Sequence, residues 1–297
     1  MEVLYYVRGR LGMKTRTLFR VSKLAGVATF FVSLGAYGAV DQIPNAALVP
    51  SNSYYTDSIG GGIGNVVVMT DGGNAPGVGD PTGRNDDGFS GPINLGFSVP
   101  FFGQTYNQLW INNNGSVSFN NGIAEFTPSG PQGASEPIIS PFFADADSRG
   151  SLSGVVHLRT DIPDEVIVTW DQIGYFESHD DKLNSFQLVL RGPNFLVPTG
   201  EGSIGFFYKN MQWETGNASG GVDGFGGTPA AIGFGDGQSN GSVLEASLKD
   251  GVSTIASNEH IWFTPNLVVV PEPSTVAVML AGLGMLAMSL RLRARRN

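Results

Sequence analysis

Alternation of apolar and polar residues is clearest in two short runs, residues 109–111 and 117–119, which flank an Asn-rich segment that ends in Asn114 and Gly115. Side chains that alternate in this way point to opposite faces of a strand. An Asn-Gly pair between two such runs favours a tight turn, because both residues accept a positive φ. The stretch therefore predicts a β-hairpin, around which the neighbouring strands are organised.

The turn of this hairpin allows two registers that differ by one residue. A two-residue loop, 114–115, places Trp110 on the face of Val117 and Phe119. A three-residue loop, 113–115, with its glycine in the left-handed region, places every large apolar residue of the two runs except Trp110 on one face and leaves Trp110 with the serines. Because a slip of one residue exchanges the two faces, we predict the three-residue loop.

Short apolar runs bounded by Gly, Pro and Asn recur along the rest of the chain. We predict strands at 95–101, 138–144, 155–159, 166–170, 186–190, 204–208, 231–234 and 260–263. The run at 138–144 is continuously apolar, as expected of a strand covered on both faces. No ten-residue segment before the C-terminal tail carries a helical stripe. The pattern predicts an all-β fold, either an antiparallel β-sandwich or a partly closed barrel.

Residues 39–84 form a lead-in segment rich in Gly, Asn and Pro. Only residues 66–69 there are typical of a strand, so we expect the segment to bury little and to be extended or packed on the domain edge. It contains neither G-x-G-x-x-G nor a phosphate-loop pattern, so we expect no nucleotide-binding loop in this segment.

The N-terminal end has the order of charge typical of export. Six basic residues between Arg8 and Lys23 precede an apolar run at 24–34, and small residues follow up to Gly38. This order predicts a helical secretory signal peptide over residues 1–38, cleaved after Gly38. A transmembrane anchor is the alternative, but the run is shorter than the roughly 20 residues that a span needs.

The C-terminal end, residues 266–297, has three parts in a fixed order. Pro271, Glu272 and Pro273 precede an apolar run at 275–290, predicted to be a helix, and four arginines follow. The arginines belong on the cytoplasmic side, which puts the rest of the chain outside. The segment resembles the PEP-CTERM sorting signal of Gram-negative bacteria. That resemblance implies a transient inner-membrane anchor that the protease exosortase removes; a permanent single-span anchor is the alternative.

Charge is unevenly distributed along the chain. The net charge is -9, but residues 39–270 hold 7 basic and 24 acidic side chains. An acidic middle of this kind repels a phosphate backbone, so we expect no binding to nucleic acid. The sequence has no cysteine, which excludes disulfides, thiolate metal sites and a cysteine nucleophile, and for an exported protein suggests a bacterial source.

Several blocks in the middle of the chain resemble, in order, those of the nidogen-like (NIDO) domain. They lie at 101–106, 110–119, 141–147, 168–176, 184–190 and 212–216. The resemblance covers residues 85–265 and implies an extracellular β-rich module linked to adhesion or matrix assembly. The chain lacks the cysteine-rich neighbours of the animal proteins, so their binding partners do not transfer to it.

One group of aspartates is a candidate calcium site. Asp145 and Asp147 open a stretch like a calcium loop, but Arg149 occupies the fifth position, where calcium needs an oxygen ligand. A site outside that loop type would gather Asp145 and Asp147 with residues from a second loop, either Asp180 and Asp181 or Asp86 and Asp87. The alternative is that these aspartates cap turns and stay solvated. We expect no other cofactor.

The candidates for catalysis are weak. Residues 237–241 match the nucleophile-elbow pattern around Ser239, and Asp250 and His260 follow in the order of an α/β-hydrolase. That elbow requires a strand, a strained turn and a helix on a parallel sheet, whereas this region predicts Gly-rich turns between strands. The histidines His157, His179 and His260 lack zinc-site spacing, and no carboxylate pair shows the geometry of a glycosidase. We therefore predict that the protein is not an enzyme.

Aromatic residues offer a further candidate surface. Trp110, Trp170, Trp213, Tyr175 and Phe176 would suit a sugar-binding platform, but core packing is the expected fate of most of them. Trp110, on the predicted serine face, is the candidate for ligand contact. The sequence thus predicts an exported, exosortase-processed adhesion or biofilm-matrix protein. Its expected partners are the secretion machinery and exopolysaccharide or other surface proteins. The alternative is a lectin that acts on exopolysaccharide.

Overall fold

The computed structural model describes residues 40–69 and 82–264. The predicted signal peptide at 1–38, the motif Pro271-Glu272-Pro273 and the predicted C-terminal helix lie outside these ranges. Among the described residues, no helix combines the length and the apolar character that a membrane span requires.

The hairpin has the predicted register. Ile111 pairs with Val117, and Asn112 pairs with Ser116, which leaves residues 113–115 as a three-residue loop. Gly115 has a φ of 86°, as the left-handed position of such a loop requires. The apolar residues of both strands are buried, whereas Trp110 is half-buried on the opposite face. The choice of register from the apolar pattern is therefore confirmed.

Fifteen strands are the main regular elements of the described structure. Their bounds are β1 Val40–Ile43, β2 Val49–Pro50, β3 Asn65–Val66, β4 Ile93–Phe101, β5 Gln104–Asn112, β6 Ser116–Ser118, β7 Ile138–Phe143, β8 Ala146–Asp147, β9 Val156–Arg159, β10 Glu165–Tyr175, β11 His179–Arg191, β12 Ile204–Tyr208, β13 Ala231–Gly235, β14 Gly241–Leu244 and β15 Glu259–Phe263. Two short α-helices, α1 Tyr55–Ile59 and α2 Val252–Ala256, and 3-10 turns at Asn45–Ala47 and Asn217–Ser219 complete the described elements.

The strands form two sheets. One has the order β1-β14-β13-β7-β6-β5-β4, and the other has the order β2-β15-β12-β11-β10-β9-β3, with β8 paired to β10. Pairing is antiparallel except between β1 and β14, which run parallel. The two sheets remain open and form a sandwich, so the predicted all-β sandwich is confirmed and the barrel alternative is not adopted.

Periodicity explains which residues form the core. On β4 the alternate residues Leu95, Phe97, Val99 and Phe101 are buried and the residues between them are exposed, whereas all six residues of β7 are buried. Aromatic rings fill much of the core. Trp170 stacks on Phe186 with ring centroids 5.1 Å apart.

The lead-in segment contributes more structure than its composition predicts. It supplies β1, β2, β3 and α1, and it buries Tyr54, Tyr55 and Met69. The expectation that it contains a single strand and buries little is therefore wrong. Its strands do lie at the sheet edges, β1 beside β14 and β2 beside β15. Short strands escape periodicity analysis because two to four residues show no period.

Candidate functional site

The loop of the central hairpin is buried, which is unusual for a connecting segment. Asn113 and Asn114 are almost completely inaccessible. The Asn114 carbonyl accepts a hydrogen bond from the Ala144 N–H at 3.1 Å. A Cβ on Gly115 would lie 1.9 Å from the Phe142 carbonyl oxygen. Only glycine permits this approach, which brings the loop against the residues that follow β7.

The two asparagine side chains connect this loop to two acidic segments. Asn113 Nδ2 donates to the Ala146 carbonyl at 2.8 Å and also to the Asp86 carbonyl. Asn114 Nδ2 donates to Asp87 Oδ1 at 3.0 Å, and Asn114 Oδ1 accepts from the Ala146 N–H at 2.8 Å. The loop thus positions residues 85–88 beside residues 144–147. We call this region of the sandwich the polar end.

Three carboxylates meet at the polar end. Asp86, Asp87 and Asp145 each place an oxygen within 4.8 Å of the others, and they are the one such group of three or more candidate ligands among residues 40–69 and 82–264. Burial, supported by neighbouring carboxylates, raises the pKa of Asp86 and that of Asp145 to about 7. The pKa of Asp87 is also raised, chiefly by burial.

Asp147 and Arg149 lie at the border of this group. Arg149 Nη2 is 2.7 Å from Asp86 Oδ2 and 2.6 Å from Asp147 Oδ2. Asp147 also accepts hydrogen bonds from Arg149 Nε at 2.9 Å and from the Ser178 N–H at 2.8 Å. The Asp147 carboxylate is therefore neutralised by an arginine. The sequence named Asp147 beside Asp145, and the structure brings it to the edge of the group.

Asp180 and Asp181 take part in other contacts. Asp180 Oδ2 accepts from the Leu152 N–H at 2.7 Å. Asp181 accepts from the Tyr175 hydroxyl at 2.9 Å and pairs with Lys182. Neither belongs to the carboxylate group, which draws instead on Asp86 and Asp87, the second pairing that the sequence offered. The sequence carried no signal that ranked one pairing above the other.

The loop between β12 and β13 approaches Asp145 from the other side. The Ala218 N–H donates to Asp145 Oδ2 at 3.1 Å. A Cβ on Gly216 would lie 2.4 Å from the same oxygen. Thr215 Oγ1 and Asn217 Oδ1, on either side of Gly216, are buried without a hydrogen-bond partner in the described part of the chain. Sequence reasoning missed this loop, because its oxygens carry no charge.

Two residues of the hydrolase pattern, Ser239 and His260, belong to different sheets of the sandwich. Ser239 lies in the turn between the antiparallel strands β13 and β14, so the segment has no strand–turn–helix geometry. His260 lies on β15 in the other sheet and stacks on Phe207 with ring centroids 5.3 Å apart. The histidine ring also contacts the Val49 carbonyl oxygen through Nδ1 at 3.0 Å. The turn interpretation of residues 237–241 therefore matches the geometry.

Most of the candidate platform aromatics are core residues. Trp170, Trp213 and Tyr175 are buried, and Trp213 Nε1 donates to the Ile173 carbonyl at 2.9 Å. Trp110 and Phe176 are half-buried. Trp110 alone among the tryptophans of this set retains an accessible face.

Fold and site together define an all-β sandwich module with a group of carboxylates at its polar end. The sequence model described as NIDO related matches residues 69–269, and the model of the PEP-CTERM protein-sorting motif matches residues 269–296. The chain therefore belongs to the NIDO-related family, and it ends in a PEP-CTERM sorting motif. This combination makes it an exported, extracellular nidogen-like protein, and the motif implies processing by an exosortase.

Several curated relatives come from animals. The chain is 32% identical over 185 residues to alpha-tectorin of Mus musculus and of Homo sapiens, alignments that cover 52% of this chain and 8% of each relative. It is 27% identical over 117 residues to nidogen of Drosophila melanogaster, covering 31% of this chain and 9% of the relative. The chain thus spans less than a tenth of these proteins. No solved structure is significantly similar to it.

Proposed function

We propose that the protein is a non-enzymatic adhesion module at the cell surface or in the extracellular matrix of a Gram-negative bacterium. Export and the NIDO-related family support a role outside the cell. The predicted signal peptide and secretion machinery deliver the chain. The predicted C-terminal helix anchors it in the inner membrane until an exosortase acts at Pro271-Glu272-Pro273. Its partners in this proposal are other surface proteins.

One observation carries the adhesion proposal: exposed apolar side chains occur on two loops that contact each other. Val222 is 72% exposed, and Phe126 and Phe225 are more than a third exposed. Thr127 Oγ1 contacts Ser219 Oγ at 2.8 Å, which joins the loop of Phe126 to the loop of Val222 and Phe225. We infer that these side chains form one apolar patch, which is typical of a protein-contact site.

The small turn that carries two of these residues is well defined. The Val222 N–H donates to the Phe225 carbonyl at 2.8 Å, and the Phe225 N–H donates to the Val222 carbonyl at 3.1 Å. A turn closed by two backbone hydrogen bonds has less conformational entropy to lose when its side chains bind a partner. This geometry supports contact with a partner as its role.

The test compares adhesion of producing cells that carry different versions of the full chain. We expect the double variant Val222→Ser/Phe225→Ser to lose most cell–cell or cell–matrix attachment while the amount of exported protein stays unchanged. The control is Leu196→Ser, because Leu196 is 93% exposed but lies on the loop between β11 and β12. Equal attachment by all three strains would refute this proposal.

A second candidate function, a lectin for exopolysaccharide, is favoured by a groove elsewhere on the sandwich. The groove, about 570 Å³, is lined by Phe102 and Tyr106 together with polar side chains that include Asn120, Glu136 and Asp236. Aromatic faces combined with amides and carboxylates suit sugar recognition. Trp110 does not line this groove, so the two candidate sugar contacts are separable.

A glycan array probed with the full chain, with and without calcium, tests the lectin proposal. Saturable binding that is lost in Tyr106→Ala assigns the groove, and loss in Trp110→Ala assigns the outer face of β5. Binding that both variants retain would exclude both contact sites, and no binding to any glycan would refute the lectin proposal.

A further inference from the structure

We propose that Asp86, Asp87 and Asp145 form a calcium-binding site at the polar end of the sandwich. The three carboxylates come from two loops that are distant in sequence, and each places an oxygen within 4.8 Å of the others. Carboxylates this close repel one another when both are ionised, and a cation bound among them relieves that repulsion at a pH where protons no longer do.

The charges around the group leave it strongly acidic. Arg149 contacts Asp86 and Asp147, but it makes no ion pair with Asp87 or Asp145. Four carboxylates, those of residues 86, 87, 145 and 147, therefore share one arginine, whose side chain is 36% exposed. A divalent cation would neutralise the negative charge that this arginine leaves unbalanced.

The second observation is that two of these carboxylates have unsatisfied oxygens inside the protein. Asp145 is 1% exposed and Asp86 is 5% exposed. Asp86 Oδ1 and Asp145 Oδ1 are buried and receive no hydrogen bond from residues 40–69 or 82–264. A buried carboxylate oxygen without a donor is costly, and coordination of a metal ion is one of the few ways to satisfy it.

The surrounding residues hold the carboxylates in place, as the outer shell of a metal site does. Asn114 donates to Asp87 Oδ1, and the Ala218 N–H donates to Asp145 Oδ2. Arg149 holds Asp86 Oδ2. Each of the three side chains is thus fixed through one oxygen, and the other oxygen of Asp86 and of Asp145 remains without a donor. Thr215 Oγ1 and Asn217 Oδ1, the neighbours of Gly216, are buried neutral oxygens without a hydrogen-bond partner in the described ranges.

The chemistry of the donors favours calcium over other metals. The group contains oxygen ligands only, whereas zinc and copper prefer the nitrogen and sulfur ligands of His and Cys. Calcium accepts six to eight oxygens in irregular geometry, while magnesium needs a near-ideal octahedron and keeps several waters. Extracellular modules bind calcium with dissociation constants of about 10⁻⁴ to 10⁻³ M, which suits an exported protein.

Binding is measured on the full chain, purified in mild detergent and stripped with EDTA, by titration calorimetry with calcium chloride. We expect one calcium ion per chain, with a dissociation constant of about 10⁻³ M or lower. At calcium ten times that constant, the midpoint of thermal unfolding should rise by about 4 °C. Asp145→Asn and Asp86→Asn should each weaken binding at least about tenfold, since each removes a charged ligand.

The control is Asp181→Asn, an aspartate outside the group that pairs with Lys182; it should bind calcium like the wild type. Unfolding in EDTA separates loss of a ligand from misfolding. Asp145→Asn relieves repulsion between carboxylates, so its unfolding midpoint without calcium should equal or exceed that of the wild type. Absence of saturable calcium binding, binding unchanged in Asp145→Asn, or stoichiometric binding of zinc but not calcium would each overturn the site. The titration involves no adhesion assay, so its result is independent of the adhesion test.

Discussion

Asn114 donates a hydrogen bond from Nδ2 to Asp87 Oδ1 at 3.0 Å, so the tip of the central hairpin directly holds an acidic side chain 27 residues earlier in the chain. The same side chain accepts from the Ala146 N–H through Oδ1. One asparagine therefore joins three segments at the polar end. The hairpin that organises the fold also builds the candidate site.

Replacement of this asparagine should destabilise the domain. Asn114→Ala removes one of the two acceptors of the buried Ala146 N–H, the other being the Ala144 carbonyl, and it removes the donor to Asp87 and to the Glu125 carbonyl. We therefore expect a loss of about 1 to 3 kcal/mol in the free energy of unfolding. Urea denaturation measures the change. Asn120→Ala is the control, because Asn120 is exposed and its hydrogen bond to Glu136 lies at the surface. A similar small loss in both variants would contradict the structural role of Asn114.

Two glycines with the same backbone conformation should respond differently to alanine. Gly115 and Gly103 have φ values of 86° and 79°, so alanine is strained at both positions by about 1 kcal/mol. At Gly115 the added Cβ would also meet the Phe142 carbonyl oxygen, whereas nothing lies within 4 Å at Gly103. We expect Gly115→Ala to cost at least about 3 kcal/mol more than Gly103→Ala in thermal unfolding. Equal costs would show that the hairpin tip relaxes freely.

Stability without calcium should depend on pH in an unusual direction. The folded-state pKa values of Asp86 and Asp145 are about 7, above the value near 4 for an unfolded chain. The native state therefore binds more protons between these values, and the free energy of unfolding falls as pH rises through that window, by up to about 1.4 kcal/mol per pH unit for each extra proton. Asp87 and Asp147 reinforce the rise in pKa of Asp86, and Arg149 opposes it.

Urea denaturation in EDTA at pH 5 and pH 8 measures this dependence. The wild type should be less stable at pH 8, and Asp145→Asn should show a smaller decrease because it cannot ionise. A wild-type stability that is constant or rises over this range, with the variant behaving the same, would contradict the assignment.

A buried ion pair within the eight-stranded sheet provides a further test. Arg191 Nε lies 2.7 Å from Glu165 Oε2, both side chains are fully buried, and Arg191 Nη2 donates to the Tyr55 hydroxyl at 2.8 Å. Arg191→Met leaves Glu165 buried without its partner, which should cost about 3 to 5 kcal/mol. The more exposed pair is the control: Lys182→Met removes the partner of Asp181 and should cost less than about 1 kcal/mol. Denaturant midpoints of the two variants measure the losses, and equal losses would contradict the predicted role of the buried pair.

Sorting by the C-terminal motif is tested in cells. Replacement of Pro271-Glu272-Pro273 by three alanines should leave the protein in the inner-membrane fraction, because an exosortase would no longer release it. The wild type should appear in the envelope or the medium. Release of both forms in equal amounts would contradict exosortase processing at this motif.

The strands and the hairpin register were predictable because their evidence is local. Alternation on β4 and the position of Gly115 lie within a few residues of the features that they determine. The metal-site candidates were not predictable to the same degree. Asp86 and Asp145 meet because the hairpin tip and direct hydrogen bonds between Asn85 and Ser148 hold the two segments together. The sequence of either segment alone does not indicate these contacts. β1 was missed for a similar reason, since its partner β14 lies about two hundred residues away.

That distance affects the order in which the domain assembles during export. Val40 pairs with Gly241 and Val49 pairs with His260, so the first two strands to cross the membrane wait for the last two before they can pair. Loop-closure entropy of this size slows the completion of both sheets. The chain therefore cannot complete its fold until nearly all of it has crossed the membrane, and it stays incompletely folded while it is translocated.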